Sequence, residues 1–240
     1  MLTTQWHQGA PFKLRFPIST SWTIWAPPGC VTIAVAQIMN YHQFPRNYCD
    51  WSLVNQYNPK KLLEENDQDV LDEVALLSKK VAGGCRVECN FFGSGETFST
   101  PAKAKRFLRD MGYTGTEKHL GYDADVIKTT LNKGCPVFIG ALSSSNHGHA
   151  WVIDGYLNYE NIIKTYNGPA TLLETKTVNK LFVHCNWGWQ STRKNGYYAS
   201  KVFDTRNGPA DLSGYPVATR GIDTKNYTWW FRIVTYNKPR

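Results

Sequence analysis

Residues 30–44, CVTIAVAQIMNYHQF, constrain the fold more than any other segment. The run follows Pro27, Pro28 and Gly29 and reaches Pro45 without an internal glycine or proline, which is longer than an ordinary strand. Ala34, Ala36, Gln37 and Met39 favour a helix, and Val31, Ala34, Val35, Ile38, Met39 and His42 recur at the helical period. The intervening positions are mostly apolar too, so this helix offers no face to water and must be wrapped nearly all round. A wrapped central helix belongs to a layered fold that mixes helices and sheet.

Three further helices are expected in the first half of the chain. Residues 67–82 carry the stripe Val70, Leu71, Val74, Leu77 and Val81, with Gly83 and Gly84 expected to end the helix. Residues 101–111 start on Pro101 after the N-cap candidate Thr100, and residues 123–132 form a short helix before Gly134. The texture then changes to strand-like runs broken by turn residues, at 135–142, 149–156, 180–189, 195–203 and 228–236. Helices first and antiparallel strands second predict an α+β fold. The expectation is one domain of two lobes, helical over about 27–130 and β-rich over about 131–240. The stretch 204–224, with Gly208, Pro209, Gly214, Pro216 and Gly221, reads as a long loop of the kind that serves as a lid.

Composition excludes several classes. Aromatic residues make up 14% of the chain, far too much apolar surface for a disordered polypeptide. No apolar run approaches the roughly 18 residues of a membrane span. The net charge of +8 is scattered, and its densest cluster, Lys103, Lys105, Arg106 and Arg109, lies along one helix as a solvated face, so no nucleic-acid partner is expected. Residues 1–5 lack the charged region and apolar core of a leader, which fits either a cytoplasmic chain or a mature one. Of the six cysteines, Cys85 and Cys89 are closely spaced but have no second close Cys or His pair, so no metal and no cofactor is expected.

Three spots can carry chemistry. Cys30 opens the buried helix, where the helix dipole and unpaired backbone N–H groups favour a thiolate and can also hold an oxyanion. Gly29 before it allows a substrate backbone to approach. His149 enters the strand HAWVIDGY after a polar turn, which sets its imidazole at a strand edge, and His147 would share its face. Asn186, Trp187 and Trp189 follow the strand LFVHC, where an amide could hold the imidazole and an indole could shield it. Each spot alone also fits a structural role: a small buried cysteine, a strand-edge histidine, a tight aromatic turn. Their order together, Cys at a helix start, then His, then Asn/Trp, is that of papain-like thiol hydrolases.

The segments GCVTIAVAQIMNYHQFP (29–45), HGHAWVIDGY (147–156), HCNWGW (184–189) and NGYY (195–198) closely resemble the streptopain family of bacterial cysteine proteases. A weaker likeness covers WHQGAPF near the start, residues 72–113 and the final strand. The resemblance implies a papain-like fold and endopeptidase activity on protein or peptide substrates. It implies Cys30 as nucleophile and His149 as general base and acid. Trp187 beside the histidine takes the place that papain-like enzymes give an Asn, with Trp189 walling the site and Asn186 helping to orient the histidine. Gly29, Gly148, Trp189 and Ile139 would line the substrate site. A preference for an apolar residue two positions before the cleaved bond is implied, as are an inhibitory propeptide and a secreted, cell-surface or periplasmic location. The chain departs from the family at Ile139, where a Gln is expected, at Gln190, where a Gly usually follows the second Trp, and in the 204–224 loop, which is less rich in glycine. Two other readings stand beside this one at the level of residues: a thiol acyltransferase or cell-wall amidase with the same pair, and a basic aromatic module that binds nucleic acid or glycan.

Overall fold

The computed structural model describes residues 1–16, 26–89, 97–143, 145–169, 171–189, 194–206, 208–210 and 226–239. Gln190 and most of the 204–224 loop lie outside the described residues.

Helix α1 (Cys30–His42) is the wrapped helix that its sequence requires: Val31 through Asn40 are all buried. It stops at Gln43, which adopts the left-handed conformation (φ 47°) and whose N–H turns back to close the helix end. Helix α2 (Trp51–Val54) is capped by the Asp50 carboxylate, and α3 (Gln68–Gly84) by Asp67. Helix α3 runs through Gly83 and Gly84 rather than ending before them. Gly84 is there for packing: a Cβ on it would lie 2.1 Å from the Phe107 ring of the next long helix. That helix, α4 (Pro101–Asp110), starts on its proline with the Thr100 hydroxyl accepting from the Lys103 N–H, and α5 (Ala124–Asn132) starts on Asp123.

The strands are β1 (Glu88–Cys89), β2 (Thr97–Phe98), β3 (Glu117–Leu120), β4 (Val137–Ser143), β5 (Gly148–Asn167), β6 (Thr171–Asn186), β7 (Gly196–Ala199), β8 (Phe203–Asp204) and β9 (Asn226–Thr235). β1 pairs with β2, while the main sheet has the order β3-β9-β4-β5-β6-β7, with β8 also on β9, and every pairing is antiparallel. The fold is α+β, as expected. The β5–β6 hairpin is much longer than its sequence pattern indicates. Its outer half, which includes the exposed Ile162, Ile163, Tyr166, Leu172 and Leu173, projects beyond the strands that flank its base.

Alternation along the central strands divides the interior into two cores. Phe138, Ala150, Val152 and Val234 face α1 and pack with α3 and α4. Val137, Ile139, Ala141, Trp151, Ile153 and Ile233 face the other way, against Val183, Cys185, Trp187, Tyr198, Phe203 and Tyr227. The period of two in each strand therefore decides which core a side chain enters. The N-terminal segment packs on the first of these: Trp6 and Phe12 lie in the α1 core with Leu2 against it, and the Leu2 N–H donates to Asp154 of β5 at 2.6 Å.

Candidate active site

A cleft of about 670 Å³ opens where the amino end of α1 meets the β4–β5 hairpin. Cys30 and His149, distant in sequence, both line it. So do Gly148, Trp189 and, from the N-terminal segment, Gln8.

Cys30 is the first residue of α1 and is half-buried. The residue before it, Gly29, has φ +86°, and a Cβ there would come within 2.9 Å of Thr97 Oγ1. Glycine is required at this position both for the backbone and for the space. Gly29 at the N-cap has no side chain to cap α1 and no acidic residue lies in the first turn, so the positive end of the helix dipole is not offset by the helix's own residues. Burial pushes other thiols up: Cys49 to about 12, and Cys85, Cys135 and Cys185 also above the ordinary value. All six cysteines are free of disulfides.

His149 is held at the start of β5 opposite Ala141 of β4. As an odd-numbered residue of β5 it shares a face with Trp151 and ends an aromatic stack in the β core. The Trp189 ring centroid is 4.6 Å from the imidazole, and Trp187 and Trp151 lie nearly parallel to it at 6.0 and 6.2 Å. Its Nε2 lies 2.9 Å from the Trp187 carbonyl oxygen, in a buried contact. A carbonyl only accepts, so Nε2 carries the proton, and Nδ1 is the basic nitrogen of the neutral ring.

The other expected site residues fall into two groups. Trp187 is 1% exposed and reaches the imidazole through its ring stack and its carbonyl. Asn186 is close by in sequence, but both ends of its amide are engaged elsewhere: Nδ2 donates to the Thr4 carbonyl at 2.7 Å, and Oδ1 accepts from the Gly188 N–H at 3.3 Å. Ile139 has no exposed surface, sits in the β core and does not line the cleft. The alternation of β4 points it away, and its neighbour Gly140 lines the cleft instead, against Pro101 of α4.

Two features of the cleft carry little signal in the sequence. Gln8, an amide-bearing residue, lines the cleft, and in the sequence it is marked only by the short likeness WHQGAPF. Trp230 adopts φ +53° at a β-bulge where β9 slips against β4, and it also lines the cleft. A left-handed tryptophan in a strand is strained, and bulges re-aim side chains. The guanidinium of Arg232 lies over its ring at 4.3 Å. Among the described residues that line the cleft there is no Asp, Glu, Lys or Arg; Val31, Phe98, Pro101, Leu142 and Trp230 give it apolar walls.

No curated protein matches the chain. The model of the Peptidase C10 family matches residues 6–198, a span that includes Gln8, Cys30, His149 and Trp187. With a match over more than half its length, the chain belongs to the peptidase C10 family, the streptopain family, and is a cysteine peptidase that acts on proteins.

Proposed function

We propose that the protein is a papain-like endopeptidase of one two-lobed domain, in which Cys30 is the nucleophile and His149 the general base and acid. The observation that carries this reading is the shared cleft: a thiol on the amino end of the helix from one core, and an imidazole on the strand edge of the other. In this mechanism Nδ1 of His149 takes the Cys30 thiol proton, and the resulting thiolate attacks the peptide carbonyl carbon. The oxyanion lies against the Cys30 backbone N–H at the helix end. Gln8 supplies the second donor in place of any side chain at position 139. Each such donor contributes roughly 2.7–4 kcal/mol. The imidazolium then protonates the leaving amine, and a water that gives its proton to Nδ1 releases the acyl group from the sulfur as a carboxylic acid.

The Trp187 carbonyl stabilises the imidazolium through a charge-assisted hydrogen bond. Trp189 and Trp187 shield the ring from water, and the indole face of Trp189 attracts its positive charge. The apolar side chains among the described residues of the cleft walls support a preference for an apolar residue two positions before the cleaved bond. Family membership supports export from the cell and control by an inhibitory propeptide. Cys30→Ala and His149→Ala are each expected to abolish casein cleavage with an unchanged circular dichroism spectrum; cleavage that survives either substitution overturns the assignment.

A further inference from the structure

The outer half of the β5–β6 hairpin is a ribbon of two strands. β4 pairs with β5 only as far as Ile153, and β7 pairs with β6 only over residues 182–185. Past those points, among the described residues, β5 and β6 pair with each other alone, out to Asn167 and Thr171. Two-stranded ribbons are marginal in water, and a free strand edge presents a row of unpaired N–H and C=O groups that another strand can complete. Proteins blunt such edges with proline, a bulge or charge. The β6 edge is blunted: Thr165 faces Glu174 while Tyr166 faces Leu172, so Leu173 is an extra residue that bends the strand. β5 is regular over residues 155–167 and has no proline there. Its foot lies against the rest of the domain, where the Tyr156 hydroxyl donates to Asn132 of α5, so the open edge begins near Asn158.

The pattern on this edge is complementary to itself. Even-numbered residues of β5 share one face, so Glu160, Ile162 and Lys164 stand in a row, and all three are exposed. A second β5 strand laid antiparallel to the first, about a two-fold axis at Ile162, sets Ile162 opposite Ile162. It also sets Glu160 of each copy opposite Lys164 of the other. One axis thus makes two opposite-charge pairs on either side of an apolar pair, and no like charges meet. Moving the axis by half a residue or a whole one, in either direction, leaves both Glu160 and Lys164 opposite uncharged residues. A two-stranded ribbon exposed on both faces has little burial to fix its pairing, so these charges are what select the register.

We propose that the outer part of β5 is a docking edge for a second copy of this chain, joined antiparallel about a two-fold axis at Ile162 so that the two hairpins form one four-stranded sheet. The pairing completes the open backbone groups of both edges and covers Ile162, which is 54% exposed in the single chain. None of the hairpin residues beyond Ala150 lines the cleft, so the docking edge stands apart from the peptidase site. A contact of this length falls at the small end of protein interfaces, below about 1,200 Å², so the dimer is weak and depends on concentration.

The test is sedimentation velocity of the full chain over about 1–100 µM, with Cys30→Ala in every sample to prevent self-cleavage. The chain is expected to pass from monomer to dimer across this range. Glu160→Lys alone and Lys164→Glu alone each set like charges opposite one another twice per dimer, and each is expected to weaken the dimer by about tenfold or more in Kd. An equimolar mixture of the two variants restores both opposite-charge pairs, one of them with its signs exchanged, and should dimerise with a Kd within about threefold of the unaltered edge. Both side chains are exposed, so circular dichroism should show the same fold in all samples. The proposal is overturned if the chain stays monomeric throughout, if a dimer forms that neither charge reversal weakens, or if the mixture of variants dimerises no better than each variant alone.

Discussion

Acid should loosen the N-terminal segment and the end of α1 through one buried histidine, His7, and one half-buried histidine, His42. His7 is buried, its Nδ1 accepts from the Gly9 N–H at 3.0 Å, and burial together with Lys13 lowers its pKa to about 4. His42, packed between Tyr41, Tyr113 and Tyr236, is likewise lowered to about 4 by burial and by Lys238. Each folded-state value lies below the unfolded value near 6.5, so between the two the unfolded chain binds more protons. Stability is therefore full above about pH 6.5 and is lost as the pH falls towards about 4. The shift corresponds to about 2 kcal/mol per histidine at pH 5, or about 1 kcal/mol each once halved for the screening of partly solvated groups. Urea unfolding followed by tryptophan fluorescence at pH 7.5 and pH 5.0 measures this. The double variant His7→Gln, His42→Gln should lose about 2 kcal/mol less between the two pH values than wild type does. Equal acid losses in the two proteins would mean that these histidines do not carry the effect.

Other substitutions test the cleft. Gly188→Ala forces an L side chain into the left-handed region against Ile33, and should cost about 1–3 kcal/mol in melting experiments and lower kcat as the turn moves off α1. Gln8→Ala should reduce kcat by about 10²-fold with little change in KM, as loss of an oxyanion donor does; a change confined to KM would place Gln8 in substrate binding instead. Trp230→Ala removes one apolar wall and should raise KM for substrates with a bulky apolar residue up to about tenfold, with kcat nearly constant, in assays against a matched substrate carrying alanine there.

Much of this architecture is legible in the sequence because burial leaves a pattern. Helix α1 declares itself by having no polar face, and α4 by Thr100 and Pro101 at its start. The outer β5–β6 hairpin leaves no such trace, since it is solvated on both faces and its residues follow no burial period. Gly83 and Gly84 read as a stop, yet Gly84 is kept by the Phe107 ring, a contact between distant segments that no local rule contains. At the site, Cys30 and His149 stand out by their residue types and their element ends. Ile139 shows the cost of a one-residue step in a strand: the family likeness puts position 139 beside the site, while the alternation of β4 buries it and presents Gly140. Gln8 is an ordinary amide whose importance comes only from where folding puts it.

The proposed mechanism requires that one cysteine of the six, Cys30, be activated by one histidine, His149. Alkylation of the native enzyme with limiting iodoacetamide at neutral pH, mapped by mass spectrometry and followed by residual peptidase activity, measures this. Cys30 should be modified first, activity should fall in step with its modification, and His149→Ala should slow the reaction by an order of magnitude or more. Modification of another cysteine in step with the loss of activity, or a Cys30 rate indifferent to His149, would contradict it.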